Sequence, residues 1–356
     1  MSKQKITIKE VAKAAEVSIA TVSRVLNGEE SVAQSLRERV EAAMLTLNYV
    51  PNASARNIRN GDMGIIGVIV PDVGDDFFSK ILEGIIEGAE TLGKSVLTFS
   101  CHGKIGREWK CLEQAAQAGI SSLIYCPQGE VEARDIYKLF PKELPLVILY
   151  RRDILEKTPH IYHDNVKGGY IATKYLLLQG RRRIAFIASA WGNPFKDATA
   201  LIQASEGTRA GAFSATDRLR GYLKALNEFH VPFDPELIRL SDFGYDSGYA
   251  SGKRLLSSLI DFDAVIAGND LLAAGAMQAL SEQNIRIPEK VSIIGFDDSI
   301  HAKIAIPRLT SVKQRPFHIG REAIRMLADV KAGKKVQDYV VDVELVVRDS
   351  TSQKEW

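Results

Sequence analysis

Hydrophobic positions near the start of the chain recur at helical spacing in two separate runs. Residues 7–28 read TIKEVAKAAEVSIATVSRVLNG, and apolar side chains return every three or four positions within each run. The first run predicts a helix with a buried face formed by Ile8, Val11, Ala12 and Ala15. The second run predicts a helix over 18–26 with a buried face formed by Val22, Val25 and Leu26. Glu16 and Val17 interrupt the pattern, which predicts a tight turn between the two helices.

Both predicted helices begin with a residue suited to capping. Thr7 is a candidate N-cap, and Glu10 stands three residues later as its capping-box partner. Ser18 occupies the same position before the second helix and is a second candidate N-cap. These residues support two short helices rather than one long helix.

The exposed side of the second helix has a composition suited to a DNA groove. Its residues are Ile19, Ala20, Thr21, Ser23, Arg24 and Asn27. Short side chains allow a helix to lie deep in a groove, and hydroxyl and guanidinium groups reach phosphates and base edges. The pair therefore predicts a helix-turn-helix in which residues 18–26 form the recognition helix. The alternative is a pair of amphipathic helices from an ordinary bundle.

A third helix is predicted over 35–48, with Ser35 as its cap. Its apolar stripe is formed by Leu36, Val40, Ala43 and Leu47. Pro51 disfavours helical geometry at the residue before it and so ends a three-helix unit of residues 1–50. Residues 51–61 follow, with Ile58 as their one sizeable apolar side chain, and are too few to hold a helix alone in water. The segment is compatible with a helix, and a plain linker is the alternative interpretation.

From residue 62 onward, continuous apolar runs alternate with amphipathic helices. Strands are predicted over 65–70, 95–99, 122–126, 146–150, 184–188, 264–268 and 291–296. Helices are predicted over 77–92, 105–118, 165–179, 217–228, 247–259, 271–283 and 317–330. This alternation indicates parallel sheets covered on both faces, and two such sets indicate two α/β lobes. Ligands of such sheets bind at the carboxyl ends of the strands, which places a cleft between the lobes.

The opening segment, together with LNYVPNASARNIR, IGVIVPD, AGND and IIGFDD, resembles the LacI/GalR family of bacterial transcriptional regulators over nearly the whole chain. The resemblance implies an N-terminal all-α helix-turn-helix domain at 1–50 and a hinge helix at 51–61. It further implies, at 62–356, an α/β two-lobe type I periplasmic-binding-protein-like core that binds an effector and dimerises. In that fold the helix at 317–330 returns to the first lobe, and 340–347 joins the second. Glu16 replaces the glycine usual in the family's turn, and a positive φ there costs roughly 1 kcal/mol.

The resemblance also assigns residues to a DNA contact. Ile19, Ala20 and Arg24 are expected to face the bases of double-stranded operator DNA, a pseudo-palindrome bound by a homodimer. The residues expected to contact phosphates or support the recognition helix are Thr7, Thr21, Ser23 and Tyr49. Further expected contacts are Ser18, Asn27, Asn52, Ala55 and Ile58. Ile58 stands where the family's hinge helix inserts an apolar wedge into the minor groove.

Motif matches assign an effector site to polar and aromatic residues at strand ends. Arg218 is expected to bind hydroxyls or a carboxylate through its rigid fork, and Asn269 and Asp297 to bind adjacent hydroxyls of a sugar or sugar derivative. The other expected contacts are Asp72, Phe77, Phe78, Asp164 and Phe243, of which the two Phe after the first strand suit ring stacking. For each Asp the alternative is an N-cap of the following helix, above all for Asp270 and Asp298.

Two departures from the family pattern bear on the ligand. Arg151 and Arg152 follow the strand at 146–150, where the family often has Asp-Arg. The added base suits an anionic ligand such as a sugar acid or sugar phosphate, although a surface arginine pair is the commoner explanation. The segment 189–215 is longer than is usual in the family. Both a lid over the cleft and an idle surface loop remain open for it.

Charge and composition place the chain among soluble proteins with a basic front end. Residues 1–60 hold nine Lys and Arg against six acidic residues, a net +3, whereas the whole chain carries +2. The three cysteines form no CxxC pair, the start lacks an apolar signal core, and no apolar run approaches a membrane span. We therefore expect a cytoplasmic protein with free thiols, no cofactor and no membrane contact.

One motif match does not indicate an enzyme. Residues 88–95, GAETLGKS, fit the P-loop string, but here a predicted helix precedes a predicted strand. A phosphate-binding loop must open a helix, so nucleotide hydrolysis is not indicated. No leucine heptad follows the last predicted strand, so a dimer is expected rather than a helical tetramer.

The sequence thus predicts a dimeric transcriptional regulator, a repressor controlled by a small-molecule effector. The alternatives are a solute-binding or sugar-processing protein on the same fold, and a regulator whose cleft is read by a partner protein.

Overall fold

The computed structural model describes residues 6–26, 29, 31–49, 64–129, 133–152, 154–155, 157–189, 195–207, 213–258 and 260–351. The chain forms two compact units, Met1–Met63 and Gly64–Trp356. The predicted hinge at 51–61 lies outside the described residues. So do the expected DNA contacts Asn27, Asn52, Ala55 and Ile58.

The first unit contains the helices α1 (Ile8–Ala14), α2 (Ile19–Leu26) and α3 (Gln34–Thr46). Their inward faces form one small core of Val11, Ala12, Ala15, Val22, Val25, Val40 and Ala43. The Glu10 carboxylate accepts hydrogen bonds from the backbone amide of Thr7 at 2.6 Å and from its hydroxyl at 2.9 Å. The predicted partnership of Thr7 and Glu10 at the start of α1 is therefore confirmed.

The ends of these helices confirm one expectation and correct another. Glu16 has a φ of 52°, so the turn between α1 and α2 does adopt the left-handed conformation that favours glycine. Arg39 donates to the Glu16 carbonyl and to its carboxylate, both at 3.2 Å, which ties this turn to α3. The predicted cap of α3 was wrong: the helix begins at Gln34 after Ala33, so Ser35 lies inside its first turn.

The second unit consists of two α/β lobes, each built on a six-stranded sheet within the described residues. The strands are β1 (Ile65–Val70), β2 (Ser95–Ser100), β3 (Ser122–Tyr125), β4 (Leu146–Leu149), β5 (His160–His163), β6 (Ile184–Ser189), β7 (Ile238–Ser241), β8 (Ala264–Ala267), β9 (Ser292–Asp297), β10 (Thr310–Lys313), β11 (Tyr339–Val341) and β12 (Glu344–Val346). The order is β11-β5-β4-β3-β1-β2 in the first lobe and β12-β10-β9-β8-β6-β7 in the second. All pairings are parallel except that of β10 with β12, as the continuous apolar strands indicated.

Helices cover the faces of both sheets. They are α4 (Asp76–Thr91), α5 (Ile105–Gln117), α6 (Ala133–Leu139), α7 (Asn165–Leu178), α8 (Ala198–Glu206), α9 (Ser214–Glu228), α10 (Tyr245–Ser257), α11 (Asp270–Ser281), α12 (Ile300–Ile304) and α13 (Pro316–Lys331), with a 3₁₀ turn at Pro235–Leu237. Within the described ranges, no helix combines the length and apolar character that a membrane crossing requires.

The crossings between the lobes differ in part from the prediction. Helix α13 packs against α4 in the core of the first lobe, which confirms its predicted return. The segment 340–347 was predicted to join the second lobe, which is confirmed for β12, paired with β10, and wrong for β11, which pairs with β5 of the first sheet. Strands β7 and β10 were not predicted, because their sequences, IRLS and TSVK, are interrupted by polar residues and do not form the continuous apolar runs that marked the other strands.

Close packing of α7 on α9 positions the part of the second lobe that faces the cleft. A Cβ atom on Gly169 would stand 2.0 Å from the carbonyl oxygen of Arg218, and one on Gly221 would stand 2.1 Å from that of Val166. Only glycine allows the two backbones to approach this closely. The contact fixes the first turn of α9, which carries Arg218.

The long segment at 189–215 is not simply a surface loop. Its residues Ala198–Glu206 form α8, in which Leu201 is completely buried in the core of the second lobe. Arg220 of α9 donates to the backbone carbonyl of Ser205 at 3.2 Å. The idle-loop interpretation was therefore wrong for this part of the segment.

The P-loop match at 88–95 has the geometry of a helix end. Helix α4 stops at Thr91, Gly93 has a φ of 61°, and β2 begins at Ser95. Gly93 is thus an ordinary C-terminal glycine of a helix.

Replacement of Leu201 by Ala tests the integration of α8 into the lobe. We expect the free energy of unfolding to fall by about 2–5 kcal/mol, since a fully buried leucine leaves a cavity when truncated. Urea unfolding followed by circular dichroism measures this change, with Leu178→Ala at a half-exposed position of α7 as the control. Equal effects of the two substitutions would mean that α8 contributes no core.

Candidate functional site

Helix α2 presents the surface predicted to read DNA. The Ser18 hydroxyl oxygen accepts from the backbone amide of Thr21 at 3.0 Å, so the predicted cap is confirmed. Val22 and Val25 are buried, which leaves Ile19, Ala20 and Arg24 exposed and Thr21 and Ser23 half-buried on the opposite side. This face combines one cation, two hydroxyls and small apolar groups, as a recognition helix requires.

The side chains around α2 that were expected to contact DNA differ in how exposed they are. The Arg24 guanidinium lies 3.9 Å from the Glu29 carboxylate, and both side chains are largely exposed. Such an ion pair is weak and can be exchanged for a phosphate at little cost. Thr7 is exposed at the start of α1, whereas Tyr49 is half-buried against the three-helix core.

A cavity lies in the second unit between the carboxyl ends of the strands of both lobes. It encloses about 790 Å³ of space free of protein atoms, part of which is open to solvent. Six of the residues predicted to bind the effector line its walls: Phe77, Phe78, Arg218, Phe243, Asn269 and Asp297. The mixture of aromatic and polar walls is that of a small-molecule site.

Two of the predicted effector residues do not line this cavity. The Asp72 carboxylate accepts from the backbone amide of Gly74 at 3.0 Å and shapes the loop after β1. Asp164 caps α7 by accepting from the backbone amide of Lys167 at 2.9 Å. Both carboxylates therefore satisfy backbone groups, but only Asp164 fills the N-cap role that was the alternative for each Asp, since Asp75 caps the helix after Asp72.

Arg218 is held rigidly in the wall of the cavity. Its Nε donates to Asn165 Oδ1 at 2.7 Å, Nη1 donates to the carbonyl oxygen of Gly268, and the guanidinium carbon lies 4.3 Å from the centre of the Phe296 ring. Only 8% of the residue is exposed. A planar cation fixed in this way presents its remaining donors in one geometry.

The capping roles around α11 differ from the prediction, because Asn269 is a helix cap and the neighbouring aspartates are not. Asn269 caps α11, since its Oδ1 accepts from the backbone amide of Leu272 at 2.7 Å while Nδ2 donates to the carbonyl of Phe243 at 3.0 Å. Asp270 is buried and accepts from the amide and hydroxyl of Ser299 and from the hydroxyl of Ser311. Asp298 pairs with Arg348. The capping role proposed for Asp270 and Asp298 was therefore wrong.

Asp297 ends β9 with its carboxyl in the cavity. Its φ of 105° is a sparsely populated backbone conformation, of the kind that costs about 1–3 kcal/mol. Oδ1 accepts from Gln314 Nε2 at 2.9 Å. Burial, reinforced by the nearby Asp270, raises the pKa of Asp297 well above its usual range, although Arg218 acts in the opposite direction. A carboxyl that retains its proton can donate a hydrogen bond to a ligand oxygen.

Several buried polar groups in the cavity wall were not identified from the sequence. Within the described residues, these atoms have no hydrogen-bond partner: both amide atoms of Gln128, the Tyr150 hydroxyl, the Ser189 hydroxyl and Gln314 Oε1. A buried polar atom without a partner costs about 1–3 kcal/mol. All four side chains line one cavity, and a few convergent polar groups are a feature of small-molecule sites. Gln128 lies in a loop after β3, and no sequence pattern marks it.

A buried carboxylate holds the loop that carries Gln128. Glu108 of α5 accepts from the Tyr125 hydroxyl at 2.5 Å and from the backbone amides of Gln128 and Gly129, each at 2.9 Å. Glu108 is only 2% exposed. Because charge-assisted hydrogen bonds are strong, this arrangement fixes the backbone from which the Gln128 side chain enters the cavity.

The two arginines after β4 both contact protein groups. Arg151 is only 4% exposed, its Nη1 donates to the carbonyl of Gly129 at 2.9 Å, and its guanidinium carbon lies 4.2 Å from the centre of the Phe213 ring. Arg152 pairs with Asp217 and lies 4.5 Å from the centre of the Tyr162 ring. The surface-pair alternative was therefore wrong for Arg151.

His163 lies at the end of β5, where the chain crosses to the second lobe. Its Nε2 accepts from the backbone amide of Arg315 at 3.0 Å, on another crossing segment, and its ring stacks on Tyr150 at 5.9 Å between centres. Burial, together with the charge of Arg218, lowers the pKa of His163 to about 3. Among the described residues, no group of three or more His, Cys, Asp or Glu is placed to hold a metal ion.

Comparisons with known proteins cover both units. Residues 7–52 match the family model described as bacterial regulatory proteins, lacI family, and residues 173–351 match that of a periplasmic binding protein-like domain. The chain is 32% identical over 348 residues to the HTH-type transcriptional repressor CytR of Escherichia coli strain K12, covering 97% of this chain and 96% of that protein.

Solved structures show the same resemblance. The dimeric Lac repressor bound to operator and the anti-inducer ONPF is 27% identical with a TM-score of 0.82, covering 98% of this chain and 99% of that one. The transcriptional regulator CelR in complex with cellobiose is 28% identical with a TM-score of 0.70, covering 97% of this chain and 99% of that one.

His163→Gln tests the buried neutral histidine through the pH dependence of stability. The folded chain resists protonation of His163 down to about pH 3, whereas the unfolded chain takes up that proton near pH 6.5. The contribution of neutral His163 to the free energy of unfolding is therefore complete above about pH 6.5 and decreases as the pH falls. Relative to the variant, the wild type should lose about 1–2 kcal/mol of unfolding free energy between neutral pH and one or two units lower.

Urea unfolding at a series of pH values measures that difference, and His301→Gln in the second lobe is the control. Parallel pH curves for the wild type and His163→Gln would contradict a neutral buried His163.

Proposed function

The chain belongs to the LacI family of bacterial regulatory proteins and is a DNA-binding transcriptional regulator, and we propose that it is a repressor controlled by an uncharged polar ring compound in the cavity. The observation that carries the ligand proposal is the set of unpartnered buried atoms on Gln128, Tyr150, Ser189 and Gln314. Such a regulator acts on the chromosome, so we place it in the cytoplasm.

The walls of the cavity favour a sugar or sugar derivative over an anion. Aromatic rings stack on the apolar face of a ring, and here Phe77, Phe78, Tyr150, Phe213 and Phe243 supply them. The unpartnered hydroxyl and amide atoms are neutral, and hydroxyl groups of a ligand satisfy both donors and acceptors.

The charged groups point to the same class of ligand. Arg151, Arg152 and Arg218 already contact acceptors or rings of the protein, and the raised pKa of Asp297 favours its neutral form. The related CelR binds the neutral sugar cellobiose. These observations argue against the sugar acid that the arginine pair had suggested.

We propose that α2 reads a pseudo-palindromic operator as part of a homodimer. The exposed face of α2 has the chemistry for base and phosphate contacts, and the related Lac repressor dimer binds operator. An exposed apolar patch on the second lobe suits a second copy of the chain: Ile300 is 51% exposed, Ile304 65% and Ile306 95%.

The rival functions fit less well. A solute-binding or sugar-processing protein has no use for residues 7–52, and relatives over nearly the whole chain are regulators. A partner protein cannot reach polar atoms buried within the cavity, so a regulator read through its cleft by such a partner is not favoured.

Arg24→Ala tests the recognition helix. Loss of a bidentate base contact should reduce the preference for operator over a mutated operator by about 1–3 kcal/mol. Fluorescence anisotropy on fragments selected from genomic DNA measures both affinities at one fixed salt concentration. Arg321→Ala removes an equal charge in the second unit and is the control. A preference unchanged from wild type would remove Arg24 from base recognition.

Gln128→Leu tests the ligand cavity. Thermal shifts with a panel of monosaccharides, disaccharides, sugar acids and nucleosides identify a compound that binds the folded state, since binding at 100 times the dissociation constant stabilises by about 2.7 kcal/mol. In Gln128→Leu that shift should be lost, while the melting temperature without ligand stays equal or rises because two unpartnered atoms are gone.

Gln278→Leu, on the exposed face of α11, is the matched control and should leave the ligand shift intact. A ligand shift retained in Gln128→Leu would exclude Gln128 from the binding site.

A further inference from the structure

Two adjacent arginines of the first lobe contact the second lobe next to the ligand cavity. Arg151 and Arg152 follow β4, whose sheet belongs to the first lobe. Their partners are Phe213 and Asp217, at the start of α9 in the second lobe. We call these four residues the clasp.

The outer contact of the clasp is an ion pair. Arg152 Nη2 donates to Asp217 Oδ2, and the side chains are 27% and 6% exposed. The Tyr162 ring, 4.5 Å from the Arg152 guanidinium carbon, holds this arginine on the first lobe. Asp217 directly precedes Arg218, so the pair also ties the first lobe to the turn that presents the cavity arginine.

The inner contact of the clasp is a cation on an aromatic ring. The Arg151 guanidinium carbon lies 4.2 Å from the centre of the Phe213 ring, and its Nη1 is fixed to the first lobe by the carbonyl of Gly129. On the other side Phe213 packs edge-on against Phe195, at 5.3 Å between ring centres. Both phenylalanines belong to the long segment at 189–215, which α8 anchors in the core of the second lobe.

The inner contact forms part of the cavity wall. Arg151, Phe213, Ser214 and Ala215 all line the cavity beside Gln128. Separation of the lobes at this point would break both clasp contacts and expose that wall to solvent. The long segment thus supplies a wall residue that reaches across to the other lobe.

We propose that the clasp is the gate of the cavity. With both contacts made, the lobes are held together on this side of the cavity, and a ring compound passes here when Arg151 parts from Phe213 and Arg152 from Asp217. The clasp therefore sets how often the cavity opens. This proposal concerns access and does not depend on which compound binds.

Cys126 provides a probe of opening that needs no ligand. Its thiol is buried and lines the cavity, whereas Cys101 and Cys111 are buried in the core of the same lobe away from the cavity. Cys126 is only 4% exposed, so an alkylating agent reaches its thiol when the cavity opens, and burial also raises the pKa of that thiol far above its usual range.

The experiment measures alkylation of Cys126 by iodoacetamide in the full-length protein, resolved by peptide mass spectrometry. Arg152→Gln and Asp217→Asn should each raise the rate at Cys126 on the order of tenfold or more, because a partly buried ion pair contributes more than an exposed one. Phe213→Leu should also raise it. The rates at Cys101 and Cys111 should stay at their wild-type values, since the lobe itself remains folded.

A charge-swapped double variant tests the pair directly. Arg152→Asp combined with Asp217→Arg should return the Cys126 rate towards wild type, whereas each single reversal should raise it. Arg183→Gln, which removes an arginine from its 2.9 Å pair with Asp234 within the second lobe, is the matched control and should change nothing at Cys126.

Two results would overturn the gate. One is a Cys126 rate equal to wild type in all clasp variants. The other is a parallel rise at Cys101 and Cys111, which would mean that the variants loosen the whole lobe. Either result leaves the ligand proposal standing, since Gln128→Leu tests that separately.

Discussion

A guanidinium held inside the second unit constrains the geometry of the cavity. Removing a charge from water is expensive, so Arg218 must find partners inside the protein. Asn165 begins α7, Gly268 follows β8, and Phe296 lies in β9, so three separate elements must converge on one side chain. The close approach of α7 and α9 at Gly169 and Gly221 makes that convergence possible. The shape of the cavity wall thus depends on the contacts that accommodate the charge of Arg218.

The polar groups in and around the cavity fall into two sets with different roles. Asn269, Asp72 and Asp164 hold backbone amides and so maintain loops and helix starts. Gln128, Tyr150, Ser189 and Gln314 carry atoms with no partner in the described structure. The first set stabilises the fold, and the second set makes it less stable than it could be. A ligand whose polar groups met these atoms would recover that cost.

Sequence patterns predicted the elements well where they were long and periodic. The helices α2 and α4 and the strand β1 agree with their predicted bounds to within a residue or so, because periodicity and flanking caps mark them. Motif matching also identified Arg218 and Asp297, and both line the cavity.

The same patterns could not identify residues that depend on the folded arrangement of distant segments. Gln128 sits in a loop positioned by Glu108, twenty residues earlier in the chain. The environment of Arg152 depends on Asp217 in the other lobe, so local sequence suggested either an anion site or a surface pair. Three-residue strands such as β11 and β12 are defined only by their pairing with the edge of an existing sheet.

The interleaving of the lobes has a consequence for synthesis on the ribosome. The first lobe needs residues up to β5, then α13 and β11, while nearly all of the second lobe lies between them in sequence. The nascent first lobe therefore emerges with a sheet face and a sheet edge uncovered, and these remain so until the last stretch of the chain leaves the exit tunnel. An open edge strand is a site of mispairing between chains, so the first lobe is most exposed to mispairing before α13 and β11 have been synthesised.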